Sequence, residues 1–311
     1  MNDQQNGLAV SCHALKKYYP DVKAVDGLDL DVRRGECFGL LGPNGAGKTT
    51  TIEILEGLNS PDGGEVQVLG RNWREHGPEL RERIGISLQE TQFNEKLTVI
   101  EILRLFRSFY REGVQPSELL RQMSLDEKMN SRVGKLSGGQ KQRLSVACAL
   151  AGNPEILFLD EPTTGLDPQS RLQLWEVMTR FRERGGTVLL TTHYMEEAQR
   201  LCDRIAIVDH GHLIALGTPA ELISSLQAAN VVEFTTQPLV DESFFRGMSS
   251  VRGYSRHGDG WQLRVESLAH SVPQLITALD EAGRHLVNLS THEASLEDVF
   301  VSLTGRELRD E

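Results

Sequence analysis

Cys37-Phe38-Gly39-Leu40-Leu41-Gly42-Pro43-Asn44-Gly45-Ala46-Gly47-Lys48-Thr49-Thr50 is the stretch on which the reading of this chain turns. Residues 37–41 form a short apolar run, the pattern of a buried strand. The run enters a turn in which Gly42, Gly47, Lys48 and Thr49 fit G-x-x-x-x-G-K-[ST]. Glycines there let successive backbone N–H groups turn inward around phosphate oxygens. A helix predicted over 48–55 would point the positive end of its dipole at the same place. Lys48 supplies a cation for the terminal phosphates of a nucleotide and Thr49 a hydroxyl for Mg²⁺. The bland alternative is an ordinary glycine-rich turn, and the strand before it and helix after it argue against that. Gly42, Pro43, Asn44, Gly45, Ala46, Gly47, Lys48, Thr49 and Thr50 are therefore read as the site of a nucleoside triphosphate.

A second feature lies at residues 156–161. Ile156, Leu157, Phe158 and Leu159 form an apolar run of the kind found in central parallel strands. It ends in Asp160-Glu161. Ligands of open α/β sheets gather at the carboxyl ends of the strands, which would bring this pair beside the phosphate loop. Asp160 suits a Mg²⁺ ligand, and Glu161 suits a general base acting on the attacking water. Any Asp-Glu after a strand could instead be a solvated loop; the phosphate loop in the same chain favours the functional reading.

Bulk properties bound the class. The chain has 311 residues, room for one large and one small domain. Its formal net charge of -11 leaves no broad basic footprint for DNA or RNA. Cys12, Cys37, Cys148 and Cys202 lie far apart, in neither C-x-x-C nor zinc-ligand spacing, and read as reduced, buried thiols. The first residues lack the basic start and apolar core of a signal peptide. No run approaches the ~18 apolar residues of a membrane span, so any membrane work would need another chain to do the spanning.

Along the chain, Leu28, Leu30 and Val32 alternate with acids as in a half-buried strand, and strands follow at 65–69 and 84–88. Thr98 with Glu101 forms a capping box, and Ile102, Leu105, Phe106 and Phe109 follow at helical spacing. Pro116 opens a shorter helix. Asp167-Pro168 starts a long helix through Arg184, with proline where its missing N–H is harmless. A strand at 187–191, a helix at 195–202 and a strand at 204–208 complete an α/β alternation, which predicts a parallel-rich sheet covered by helices. A hairpin at His210-Gly211 and a capped helix from Thr218 close this part. After residue 228 the order changes to strand, helix (241–246), strand, strand, helix (272–282), strand, the split βαβ or ferredoxin-like order. A last amphipathic helix carries Leu296, Val299, Phe300 and Leu303, with Ser295 as N-cap and Gly305 beyond its end.

Leu136-Ser137-Gly138-Gly139-Gln140 selects among phosphate-loop proteins. Ser137 reads as a helix N-cap, and the two glycines leave the first N–H groups open to an anion. With this LSGGQ the set resembles the ABC ATPases, over residues 8–226. That resemblance implies an α/β P-loop NTPase fold, an ABC ATPase domain with a mixed sheet and a helical subdomain, followed by a small C-terminal α+β domain at 229–311. It makes the nucleotide ATP, bound with Mg²⁺, and Tyr19, or its neighbour Tyr18, the aromatic under the adenine. It makes Gln89 a contact of Mg²⁺ and the attacking water that reports to the membrane subunit, Leu166-Asp167 a loop at the dimer interface, and His193 the residue on the γ-phosphate. Ser137, Gly138, Gly139 and Gln140 then close the ATP site of a second copy packed head to tail. The catalytic set is Glu161, His193 and Gln89; the metal set is Thr49, Gln89 and Asp160.

The tail Leu296-Glu297-Asp298-Val299-Phe300 and Leu303-Thr304-Gly305 resembles that of bacterial ATPases of ABC-2-type exporters, the drug-resistance group. This implies an ATPase at the inner face of the plasma membrane, held by membrane-spanning permease subunits, with no nucleic acid among its partners and a C-terminal domain that regulates or supports the dimer. The rival is a soluble ABC ATPase of a ribosomal or nucleic-acid machine. It usually carries two cassettes or a long coiled-coil insertion, and this chain has one cassette and no room for such an insertion between Gln89 and Leu136.

Overall fold

A computed structural model of the chain describes residues 7–88, 91–245, 248 and 250–304. They fall into two compact units, Met1–Leu216 and Gly217–Glu311. The division precedes the capped helix at Thr218 rather than following residue 226.

In the first unit six strands form one sheet: β3 (Cys37–Leu41), β5 (Ile84–Ser87), β6 (Ile156–Asp160), β7 (Thr187–Thr192), β8 (Arg204–Asp209) and β9 (His212–Gly217), in the order β5-β6-β7-β3-β8-β9. From β5 to β8 every pairing is parallel. β3 and β6 are buried at every residue, as their unbroken apolar runs require. A second, antiparallel sheet joins β1 (Leu8–Tyr19), β2 (Val22–Arg33) and β4 (Gly63–Val68). The alternation at Leu28–Val32 is the inner half of β2. β1 gives no such signal because its register breaks between Cys12 and Leu15, where Ala14 has φ 48°.

Helix α1 spans Lys48–Leu55. Helix α2 (Trp73–Arg83) is not predicted from the sequence, and its composition explains why. Gly77 and Pro78 sit inside it and His76 leaves helical geometry (φ -121°), so it is two pieces joined at a kink. A helical group follows: α3 (Val99–Arg107), with its capping box in place, α4 (Pro116–Gln122) and α5 (Gly138–Ala149). The apolar spacing predicts that Leu105 and Phe109 face a core. Instead α3 ends at Arg107, and Leu105 and Phe109 are 45% and 62% exposed. Arg143 of α5 is buried and donates to the Met123 carbonyl at 2.8 Å, tying α5 to the end of α4. Helices α6 (Pro168–Glu183) and α7 (Met195–Leu201) flank β7.

The second unit begins with α8 (Pro219–Ser224), which packs on α10 (Leu296–Thr304). Strands β10 (Asn230–Gln237), β11 (Val251–His257), β12 (Gly260–Val265) and β13 (His285–Glu293) form an antiparallel sheet, order β11-β12-β10-β13. β12 lies between β10 and β11, which is the ferredoxin-like split. The first helix of that order is reduced to a 3-10 turn at Glu242–Phe245, too short to nucleate an α-helix. Its Phe245 enters the core against Phe234, Tyr254 and Trp261. The second, α9 (Leu268–Glu281), covers one face through Leu275 and Leu279. Ser295 caps α10, accepting from the Asp298 N–H, and its own N–H donates to the Asp298 carboxylate at 2.8 Å; Gly305 lies outside the described residues.

All four cysteines are buried and unbridged. The fold nevertheless brings two that are distant in sequence together. The Cys37 thiol contacts that of Cys202 and, with burial, pushes the latter's pKa well up. Among the described residues no helix is long and apolar enough to cross a membrane.

Candidate functional site

β7 lies between β6 and β3, parallel to both, with Asp160 beside Thr191 and Leu41 beside Thr192. The turns leaving these three strands therefore open along one edge. They carry the phosphate loop after β3, Asp160-Glu161 at the end of β6, and His193 after β7. Strand order thus gathers residues that are more than a hundred positions apart in sequence.

The loop is shaped by contact with its own chain. Gly47 has φ 99°, and a Cβ there would lie 2.2 Å from the Ala24 carbonyl oxygen, so only glycine fits. Lys48 is buried, and its ammonium donates to the carbonyls of Gly42 (2.7 Å) and Pro43 (3.1 Å), curling the loop around the charge. Burial lowers its pKa, opposed by the nearby Glu161 and Asp160 carboxylates. No acidic residue occupies the first turn of α1, leaving its positive end open to an anion.

Asp160 is buried and accepts a hydrogen bond from Thr191 Oγ1. Burial raises its pKa, and neighbouring Glu161 adds to this, while Thr191, Lys48 and the Thr49 hydroxyl favour the charged form. Glu161 has φ 47°, a left-handed conformation that costs a non-glycine residue about 1 kcal/mol or more. Its N–H holds it there by donating to Thr191 Oγ1 (2.9 Å) and the Thr191 carbonyl (3.2 Å). Glu161 Oε2 lies 3.3 Å from His193 Nδ1 and accepts from Thr164 Oγ1 at 3.2 Å. The His193 contact lowers the Glu161 pKa against its burial, which keeps the carboxylate ionised and an acceptor.

The donor set also fits Mg²⁺. Among the described residues there is no cluster of three or more His, Cys, Asp or Glu able to cage a metal. The Thr49 hydroxyl and Asp160 carboxylate do lie together beside the loop. A cation that takes one or two protein oxygens and completes its shell with phosphates and water needs no more.

Glu56 carries no signal in the sequence. It caps the C-terminal end of α1 and is 2% exposed, and neither carboxylate oxygen has a hydrogen-bond partner. Burial, with Asp160 and Glu53 adding repulsion, pushes its pKa up to about 8. The folded chain therefore holds a proton that the unfolded chain releases near pH 4.5, so stability falls as pH rises between those values. Glu56→Gln removes that proton uptake. It is expected to stabilise the fold at pH 8 by about 1–3 kcal/mol and by far less at pH 4.5, measured by urea unfolding.

The signature segment stands on another element. Ser137 caps α5, accepting from the Gln140 N–H at 3.3 Å, and Gln140 Oε1 accepts from the Ser137 N–H at 3.0 Å. Ser137 and Gly138 are exposed, and a Cβ on Gly138 would meet nothing within 4 Å. Gly139 is the opposite case: a Cβ there would lie 2.6 Å from Ser170 Oγ. Ser170 in turn donates to Asp167, the N-cap of α6. The start of α5 thus presents an open, capped N-terminus braced from behind by the start of α6.

Tyr18 and Tyr19 both stand exposed before the β1–β2 turn. The Tyr18 hydroxyl donates to Asp26 at 2.5 Å, and the Tyr19 hydroxyl accepts from Asn59 Nδ2 at 2.9 Å. Their exposure leaves either ring able to stack on a base. Gln89 lies outside the described residues. Thr191 and Ser170, which hold the acidic pair and the signature turn in place, carry no sequence signal beyond their neighbours.

The pattern of the ABC transporter family matches residues 25–164. The Nod factor export ATP-binding protein I of Cupriavidus pinatubonensis is 41% identical over 305 residues, 95% of this chain and 90% of that protein. Its counterpart in Rhizobium meliloti is 41% identical over 97% of this chain and 90% of its own. The chain belongs to the ABC transporter ATP-binding family. Solved ABC cassettes share its fold. An ATP-binding subunit of an ABC transporter aligns with TM-score 0.64 at 30% identity, covering 70% of this chain and 93% of its own. A dimeric cassette, MJ0796, in a post-hydrolysis state with ADP and Pi aligns at 0.62 and 27%, covering 67% and 98%. This ABC subunit is thus an ATPase of P-loop fold, and the edge where β3, β6 and β7 end is where its ATP chemistry is to be sought.

Proposed function

We propose that two copies of this chain pack head to tail, so that each ATP lies between Lys48 of one and Ser137 of the other. The observation that carries the reading is the start of α5: a capped helix N-terminus with open space ahead of Gly138. A γ-phosphate offered by a second copy satisfies its free N–H groups. Within one copy, Lys48 and the loop amides hold the phosphates, Tyr19 or Tyr18 stacks on the base, and Thr49, Asp160 and Gln89 hold Mg²⁺. When bound, Mg²⁺ neutralises charge on the phosphate oxygens. Glu161 accepts the proton of the attacking water, and His193, 3.3 Å from it, positions that carboxylate and the phosphate it faces. Loss of the γ-phosphate removes the link between copies and opens the clamp.

The partner is an ABC-2-type permease at the inner face of the plasma membrane, and the direction is export. The relatives named above are Nod factor exporters' ATP-binding proteins, which supports that direction. A groove of about 520 Å³ supports the docking. It is lined by Pro78, Arg81, Ile84, Ile86, Phe106, Phe109 and Tyr110 and includes residues of β5, the strand that precedes Gln89 in the chain. Exposed Phe109 on its rim is the kind of aromatic anchor that interfaces use. Phe109→Glu is expected to abolish co-purification of membrane-spanning subunits from solubilised membranes while leaving ATP binding intact. Undiminished co-purification would place the permease elsewhere, and recovery of ribosomes or nucleic acid instead would favour a soluble machine.

A further inference from the structure

Glu197, on α7, is 0% exposed, and its carboxyl lies at the junction of three elements of the site. Trp175 of α6 donates its indole N–H to Oε1 at 2.9 Å. The hydroxyls of Thr192 and Thr163 lie close enough to favour the charged form, as does Arg171, although burial dominates and raises the pKa. Oε2 makes no well-aligned hydrogen bond, and neither does Thr163 Oγ1, itself fully buried. The Thr163 hydroxyl and the Glu197 carboxyl are thus both sealed from water at this junction, where the hydroxyl favours the charged form.

What these neighbours carry gives the contact its meaning. Thr163 is in the turn that begins with Glu161. Thr192 ends β7 immediately before His193, and its Oγ1 accepts from the Tyr194 N–H at 2.9 Å. Trp175 and Arg171 are on α6, whose N-cap is Asp167, and Arg171 lies over the Tyr194 ring at 4.7 Å. A residue that only filled this space would be apolar. A carboxylate here instead fixes the direction of each neighbour by hydrogen bonding.

We propose that Glu197 is a positioning residue for ATP hydrolysis, holding the Glu161 turn, the His193 strand end and the Asp167 helix in mutual register. It is sealed from solvent and acts through Thr163, Thr192 and Trp175. The inference rests on the roles proposed above for Glu161 and His193. A misplacement of reacting groups by about 1 Å costs of order 100-fold in rate, so small slack in this junction is enough to matter.

The test is steady-state ATPase and equilibrium ATP binding on the full-length chain for Glu197→Gln, Glu197→Ala and Glu197→Leu, with unfolding midpoints recorded for each. Glu197→Gln keeps an acceptor for Trp175 and should retain kcat within about 3-fold. Ala and Leu should each lower kcat by at least about 10-fold with ATP affinity unchanged, because its hydrogen-bond partners Trp175, Thr192 and Thr163 all lie outside the phosphate loop. Thr163→Val added to Glu197→Ala should lower kcat no further. Wild-type kcat in Glu197→Leu, or a loss that appears equally in ATP affinity, would reduce Glu197 to a core filler and overturn the proposal. Glu161→Gln and His193→Ala run in parallel separate the two levels. If these also hydrolyse normally, the site assignment itself fails; if they are dead and Glu197→Ala is active, only the positioning role fails.

Discussion

Glu161→Gln is expected to lower steady-state ATP hydrolysis by roughly 100- to 10,000-fold, the range supplied by a general base, while ATP binding stays near wild type. The amide keeps the size of the side chain and an oxygen able to accept from Thr164 and face His193, so the left-handed turn at residue 161 survives. It cannot take a proton. Lys48 and the loop carbonyls that shape the phosphate cradle are untouched. Because opening of the proposed clamp depends on loss of the γ-phosphate, the variant should also accumulate as an ATP-bound dimer, visible by size-exclusion chromatography with excess ATP. Hydrolysis at the wild-type rate would remove Glu161 from the role of base.

Ser137→Arg is expected to have an effect of comparable size by a different route. Ser137 is exposed at the start of α5, so the arginine meets no clash within its own chain. Loss of the N-cap costs about 1 kcal/mol locally, small beside the stability of a domain this size. Nucleotide affinity of the single chain should therefore be unchanged, since the phosphate loop lies on another element. Across the proposed interface the long side chain occupies the space of the partner's phosphate. Dimer formation and turnover should both fall to background. A normal ATPase rate in this variant would rule out Ser137 as part of a composite site.

How far the sequence can be read depends on where each interaction partner sits along the chain. The phosphate loop is legible because glycine spacing, lysine and hydroxyl are adjacent, and α1 runs over the residues predicted for it. The capping boxes at Thr98 and Thr218 are legible for the same reason: both halves of each lie within four residues. Contacts between distant segments are not. Nothing near Glu56 announces that its carboxylate is sealed from water, and Thr191 becomes a partner of Asp160 only because β7 inserts beside β6. Glu161 can be named as an acid at a strand end, but its left-handed backbone follows from bonds to Thr191. α2 escapes notice because Gly77-Pro78 looks like a stop yet is accommodated as a kink, and β1 because its bulge breaks the alternation. In the second unit the arrangement of the sheet is readable from the order of strands and helices along the chain. The collapse of its first helix to a 3-10 turn is not, because Phe245 is held by aromatic packing rather than by helical periodicity.

The central claim is that each ATP site is built by two copies, and one mixing experiment tests it directly. Lys48→Ala disables the phosphate loop but leaves the signature intact, and Ser137→Arg does the reverse. Each variant alone should be inactive. Mixed, they should form heterodimers in which the intact loop of one copy meets the intact signature of the other, so that steady-state ATPase activity returns to a substantial fraction of wild type. A mixture as inactive as its components, with heterodimers demonstrably present, would contradict the composite site.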